Sequence, residues 1–364
     1  MTLQKKHLEA ARLLEGAIQG DIRAANKFSE SLQYGLKEGI STSDLPTALA
    51  PTLSRIALND YAEQAKIWSA WAGREVLPDF ETQEYYSLSP WGDEDVEPST
   101  AGDTFYSGGL PTVPEYGEYS RLRFEATSKG LRLKKGGVAV QFSWESLLNP
   151  RNIGRIPRAF AEFGRRAAVK EDHEATKPLL DFTDNFTAGN QNVLTGAPAL
   201  SIASLEAAFE AIGNQTYNGR QVTAAPSYAL VVPQSLEFTA KRIQEIDSVE
   251  TIEGVGTDTE TRFRTGNPVA GKFTTVVNPY LTQMGGSATG WYLVPTPGST
   301  PNPSVVNLFL QGHETPEIFV KRTTLSDPES GSFTNDDYET KVRHVVTGAF
   351  IEPAGTMFSA GTTP

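Results

Sequence analysis

Between Glu75 and Ser120 the chain carries eleven acidic residues and no lysine or arginine; from Arg121 to Lys170 the balance reverses to twelve basic residues against three acidic ones. A single small core does not accommodate such halves, because each would crowd like charges, and Pro, Gly and aromatic residues fill the acidic one in place of periodic aliphatics. The acidic segment reads as an extended arm lying on something else. The basic segment opens with a period of two: Leu122, Phe124 and Ala126 alternate with Arg121, Arg123 and Glu125. After Gly136-Gly137 a return strand alternates Val138, Val140, Phe142 and Trp144 with smaller or polar residues. The two strands are expected to pair as a long projecting hairpin, since the first is too charged on one face for a core.

Around this inversion the chain has conventional periodicities. Leu8, Ala11, Leu14, Ile18, Ile22, Ala25, Phe28 and Leu32 mark an amphipathic helix within residues 1–38, charged enough that it does not read as a signal peptide. A second helix, capped at Ser43 or Asp44, is expected to run through Leu49, Ile56, Tyr61 and Trp68 with an interruption near Pro51. Pro157 suits a first helical turn, and a helix from there to Pro178 would be a rod of roughly 30 Å. Its apolar stripe, Ile156, Phe160, Phe163 and Ala167, gives way to Lys170, Glu171, Asp172, His173 and Glu174, so that its second half is expected to face solvent. Downstream, helices near Ser204–Ile212 and after Pro233 alternate with strands at Tyr228–Val232, Phe273–Val277 and Trp291–Val294. Asp247 to Gly266 reads as a polar loop. Val305–Leu310, Ile318–Arg322 and Tyr338–Phe350 are the last strand candidates, and no tandem repeat occurs.

Composition narrows the chemistry. With no cysteine, disulfides, thiolate catalysis and sulfur-ligated zinc are excluded, and a net charge of -12 argues against a surface that grips nucleic acid throughout. No apolar run approaches the ~20 residues of a membrane span. Gly266-Asn-Pro-Val-Ala-Gly271-Lys272 fits seven positions of a phosphate-binding loop, but Phe273 replaces the required hydroxyl and Pro268 removes an N–H from the cradle. The four histidines, His7, His173, His313 and His344, lack ligand spacing. Glu171-Asp172-His173-Glu174 could be an acid/base cluster, but it reads as a solvated helix face. No cofactor and no metal is expected. The basic stretch is read as a protein-pairing surface in preference to a nucleic-acid one, given the acidic segment beside it.

The order of acidic arm, projecting hairpin, long helix, α/β region and returning strands resembles the major capsid protein of tailed double-stranded DNA phages. Local wording strengthens the likeness to its Mu-like major head subunit branch: Ile40-Ser-Thr-Ser-Asp-Leu-Pro leading to Trp68-Ser-Ala-Trp71, Tyr116-Gly-Glu-Tyr-Ser-Arg121, Ser143-Trp-Glu-Ser-Leu-Leu-Asn149 before Arg158-Ala-Phe160, and Tyr338-Glu-Thr-Lys-Val-Arg-His-Val-Val-Thr-Gly348. The resemblance implies an α+β fold of the Hong Kong phage type. Its parts would be a scaffold-like helix at 1–38, an N-terminal arm at 39–115, an extended hairpin loop at 116–150, a spine helix at 151–182, an axial domain at 183–312, peripheral strands at 313–355 and a flexible tail at 356–364.

It implies a structural head protein and no enzyme, assembling in the host cytoplasm as hexamers and pentamers of an icosahedral virion shell. Further partners would be decoration, portal and scaffold proteins and, by non-specific proximity, packaged double-stranded DNA; no membrane is involved. Inter-subunit contacts are expected at Arg121, Arg123, Lys129, Arg132, Lys134 and Lys135 against Asp93, Glu94, Asp95 and Glu97. Trp144, Phe160 and Phe163 would be packing anchors. The rival is a cytosolic nucleotide-binding enzyme built on the α/β half.

Overall fold

Two sets of residues pack separately in the computed structural model, which describes residues 44–90, 115–116, 124–143, 155–217, 220–222, 224–253, 261–300, 302–320 and 337–362, together with Arg23 and Lys27. The expected helix within residues 1–38 therefore lies outside the described residues apart from those two. In chain order the elements begin with α1 (Asp44–Glu63), β1 (Gly73–Leu77), β2 (Gln83–Pro90), β3 (Phe124–Leu131), β4 (Lys135–Ser143) and α2 (Arg155–Thr176). Next come α3 (Ile202–Asn214), β5 (Thr216–Tyr217), β6 (Arg220–Gln221), β7 (Tyr228–Val232), α4 (Glu237–Glu245), β8 (Ser248–Glu253), β9 (Thr261–Gly266) and β10 (Phe273–Val277). The chain closes with α5 (Tyr280–Gln283), β11 (Trp291–Pro295), β12 (Val305–Leu310), β13 (Glu317–Val320), β14 (Asp337–Phe350) and β15 (Met357–Ser359). This is an α+β chain, as expected. No helix among the described residues is long and apolar enough to cross a membrane.

One unit gathers the chain up to Lys66 with Leu133–Glu171 and Phe309–Val346. In it α1 runs unbroken through Pro51 and stops at Glu63, correcting the expected interruption and the expected extension to Trp68, which sits on a separate 3-10 turn, Ile67–Ala70. Helices α1 and α2 touch backbone to backbone: a Cβ on Gly164 would lie 2.1 Å from the Ala57 carbonyl oxygen. Ala57, Ala167 and Ala168, all buried, keep that approach close. In the sheet, β14 pairs antiparallel with β13 and with β4. Alternation along β14 buries Thr340, Val342 and His344 and leaves Lys341 exposed.

The other unit gathers Ile67–Arg132, Asp172–Leu308 and Thr347–Pro364. Its four-stranded sheet has the order β10-β7-β11-β15. The inner strands Tyr-Ala-Leu-Val-Val and Trp-Tyr-Leu-Val-Pro are buried at every residue, which is why they are apolar without alternation. The chain leaves β7, forms α4 and returns as β10 parallel to it. Leu205, Ala208 and Ile212 of α3 and Ala240 and Ile243 of α4 complete the core with Leu230, Val232, Phe273 and Trp291. Helix α3 starts in a capping box: Ser201 Oγ accepts from the Ser204 N–H at 3.1 Å, and Ser204 Oγ accepts from the Ser201 N–H at 2.8 Å. Within the expected polar loop Asp247–Gly266, the segments Ser248–Glu253 and Thr261–Gly266 instead pair as the antiparallel strands β8 and β9. Residues after Lys272 form strand β10, where a phosphate-binding loop requires a helix N-terminus.

Candidate functional site

The two strands read from the basic segment do not pair with each other. Strand β3 pairs with β2 of the acidic arm, Gln83↔Leu131 through Pro90↔Phe124, and β4 pairs with β14. This corrects the expected hairpin, and it gives the arm's Gln83–Pro90 a partner in the strand that follows it within the same subunit. Alternation fits many antiparallel partners equally, and only the whole chain chooses among them. Lys129, which registers with Tyr85, is engaged within its own subunit: its Nζ donates to Asn185 Oδ1 at 3.3 Å and lies 5.6 Å from the Phe350 ring centre. Burial lowers its ammonium pKa from the ordinary lysine value, against the opposing pull of Asp184 and Asp181.

After β3 the chain alternates: Leu131 and Leu133 are buried while Arg132, Lys134 and Lys135 are exposed. These three cations form a basic rim at the start of β4. Asp93, Glu94, Asp95, Glu97, Arg121, Arg123 and Trp144 lie outside the described residues. Phe160 and Phe163 are buried at 0 and 2% exposure, with ring centres 5.5 Å apart, edge to face.

Further along α2 the structure overturns the solvated-face reading, since Glu171, Asp172 and Glu174 are buried. Glu171 accepts hydrogen bonds from Tyr61 Oη and from His344 Nε2, the latter at 3.0 Å, and faces Lys66 Nζ at 3.4 Å. The Lys66 ammonium also sits 3.8 Å from the centre of the Tyr61 ring, whose edge meets His344 at 5.8 Å between centres. Burial pushes the Glu171 carboxyl up, but the hydrogen bonds from His344 and Tyr61 and the charges of Lys66 and His344 outweigh it, and the pKa is lowered. Asp172 accepts from the Trp68 backbone N–H at 2.9 Å, and Glu174 pairs with Lys177 at 2.6 Å. Each acid has a fixed partner, and through Tyr61 and His344 the Glu171 carboxylate joins helix α2 to α1 and to strand β14. One signal could have found Glu171: it continues the spacing of Phe160, Gly164, Ala167 and Ala168, so the buried stripe never faded.

A second ionic group lies on the sheet of the same unit. Glu317 accepts from Arg343 Nε at 3.0 Å and contacts His313, while Arg343 and Lys341 lie 4.7 and 5.5 Å from the Phe319 ring centre. Burial raises the Glu317 pKa, but Arg343 and His313 outweigh it and leave it lowered.

A family model described as phage capsid protein matches residues 126–356, from β3 to the turn before β15. The chain belongs to the phage capsid protein family. It is a structural protein of a phage head, and a capsid protein works by self-association into a shell. Among solved structures, the capsid of Myoviridae phage XM1 is similar at 11% identity, covering 79% of this chain and 89% of that one, with a TM-score of 0.43. The procapsid of bacteriophage JBD30 gives 14% identity, 88 and 76% coverage and 0.39. A structure from Mycobacterium phage Cain gives 12% identity, 83 and 91% coverage and 0.47. No curated protein sequence matches. The assignment rests on the family match.

Proposed function

We propose that this chain is the major subunit of an icosahedral phage head, assembling in the host cytoplasm as hexamers and pentamers around space for double-stranded DNA. The observation that carries the reading is the family match over residues 126–356. Physically, a shell subunit needs rigid bodies and elements that reach its neighbours, since closed rings are built from heterologous contacts. Helix α2, close to 33 Å long at 1.5 Å per residue, supplies a rigid spine. The two-stranded ribbon of β2 and β3 is the reaching element.

In this reading residues 39–115 act as an arm, 116–150 as the extended loop, 183–312 as the axial part and 313–355 as the peripheral strands, with 1–38 scaffold-like; the expected flexible tail at 356–364 is corrected, because Met357–Ser359 are buried and pair with β11 as strand β15. Arg121, Arg123, Arg132, Lys134 and Lys135 meet Asp93, Glu94, Asp95 and Glu97 of neighbouring copies, and portal, scaffold and decoration proteins are further partners. The segment carries no enzymatic role in this reading. Size-exclusion chromatography and electron microscopy of the purified full chain test it. Shells, rings or shell fragments are the expected result; a stable small monomer that binds ATP would replace it with the enzyme reading.

A further inference from the structure

Among the described residues, strand β4 is paired on one side only. Nine registered pairs, from Asp337↔Ser143 to Val345↔Lys135, join it to β14, and among the described residues no strand lies on its other side. An open edge presents unpaired N–H and C=O groups, and proteins that do not use such an edge protect it with charges, proline or a bulge. Residues 136–144 contain no charged residue and no proline. The inward row of side chains is also left unfinished at this edge. On β14, Thr340, Val342 and His344 are 0, 6 and 3% exposed, whereas Val138, the register partner of Val342, is 37% exposed. Apolar surface that a monomer leaves in this position is covered when another strand extends the row.

The charge around the edge selects the occupant. Arg132, Lys134 and Lys135 are exposed at its entrance and exposed Lys341 registers beside Ala139, against Glu339 beside Gln141 and Asp337 beside Ser143, so four cations stand against two acids and the strip is net basic on a chain whose net charge is -12. A basic strip on an acidic protein is complementary to another copy of the same protein, and like charges no longer meet when that copy binds there. We propose that the outer edge of β4 accepts an extended strand from a second copy of this chain, forming a sheet continuous across two subunits. This rests on the self-assembly reading and deepens it by naming the pairing element.

Hydrogen exchange read by mass spectrometry over residues 136–143 tests the pairing, comparing dilute subunit with assembled particles of the full chain. In an antiparallel strand about half of the amides point to each side. The half facing β14 should be protected in both states, and the outward half should exchange at least tenfold more slowly in particles than in dilute subunit. Particles whose outward amides exchange as fast as those of the subunit would overturn the strand addition while leaving the capsid reading intact. Full protection already in the dilute subunit would assign the edge to a segment of its own chain and overturn the proposal. Failure of the wild type to form any particle would overturn both readings. As a second arm, Ala139→Glu with Gln141→Glu places negative charge at two exposed positions of the edge, which an acidic incoming copy should repel. The variant should keep the wild-type melting temperature and lose at least nine-tenths of its particle yield; an unchanged yield would refute the proposal.

Discussion

Glu171→Gln probes one buried charge, because the substitution keeps the shape while it removes the ionisation and turns one acceptor oxygen into an amide donor. In the native protein the carboxylate has two hydrogen-bond donors, Tyr61 Oη and His344 Nε2, and the Lys66 ammonium at 3.4 Å. A hydrogen bond to a charged acceptor contributes about 1.5–3 kcal/mol against about 1 kcal/mol for a neutral one, so two such bonds lose roughly 1–4 kcal/mol when the charge goes. Opposing this, the amide escapes the cost of desolvating a carboxylate, which amounts to several kcal/mol. The lowered pKa decides the sign: the partners outweigh burial, so the folded state favours the charged form. The net effect at neutral pH should be a loss smaller than that of the hydrogen bonds alone, on the order of 1 kcal/mol.

The pH dependence follows from the same inequality. A carboxyl whose folded pKa lies below its unfolded value contributes stability that is complete above the unfolded value, about 4.3, and is lost as pH falls through the folded value. Thermal melting of dilute wild-type and Glu171→Gln subunit, followed by circular dichroism from pH 7 to pH 3, measures the difference while other carboxylates cancel. The variant should melt a few degrees lower at pH 7, by the usual ~2–4 °C per kcal/mol for chains of moderate size, and the gap should close toward pH 3. A gap that stays constant across that range would show that the charge does not stabilise this junction.

Gly164→Ala places a Cβ 2.1 Å from the Ala57 carbonyl oxygen and 2.9 Å from the Tyr61 nitrogen, backbone atoms that cannot rotate away, so α1 and α2 must part. A loss of about 1–3 kcal/mol or more in urea denaturation is expected, and a neutral result would refute the close crossing. Phe160→Ala removes a fully buried ring and should cost about 3–5 kcal/mol in the same assay. Reversing Arg132, Lys134 and Lys135 to Glu together should leave the melting temperature nearly unchanged, because all three are exposed, yet block shell formation. Normal empty shells from that variant would remove the basic rim from the assembly contacts.

How much of this was legible in the sequence depended on how local the deciding interaction is. Strands β7, β10 and β12 were legible because short segments rich in β-branched and aromatic residues are bounded by turn residues, and α2 was legible because Pro157 and Pro178 punctuate it. Strand partners were not. Alternation in 122–126 and 138–144 states that each segment has two faces and is silent about which edge it meets: proximity favours the nearest segment, whereas the partners are β2 and, some two hundred residues away, β14.

The Glu171 cluster escaped for a related reason. A run of Glu, Asp, His and Glu on a helix is solvated unless partners exist, and here they come from Tyr61 and His344, 110 and 173 residues away in the chain. The same four residues would therefore be surface in one chain and core in another. What distinguishes the two is the position of Glu171 on the stripe begun by Phe160, Phe163 and Ala167, a geometric fact that hydropathy overrules when residues are read by type. A carboxylate at such a position is retained only if its donors are held in place. That makes the cluster a test of whether α1, α2 and β14 have assembled correctly: a β14 slipped so that Val345 stands where His344 belongs would leave the carboxylate without one of its two hydrogen-bond donors, at a cost of about 1–3 kcal/mol. Burying the charge thus penalises the wrong register of β14 more than an apolar residue at position 171 would.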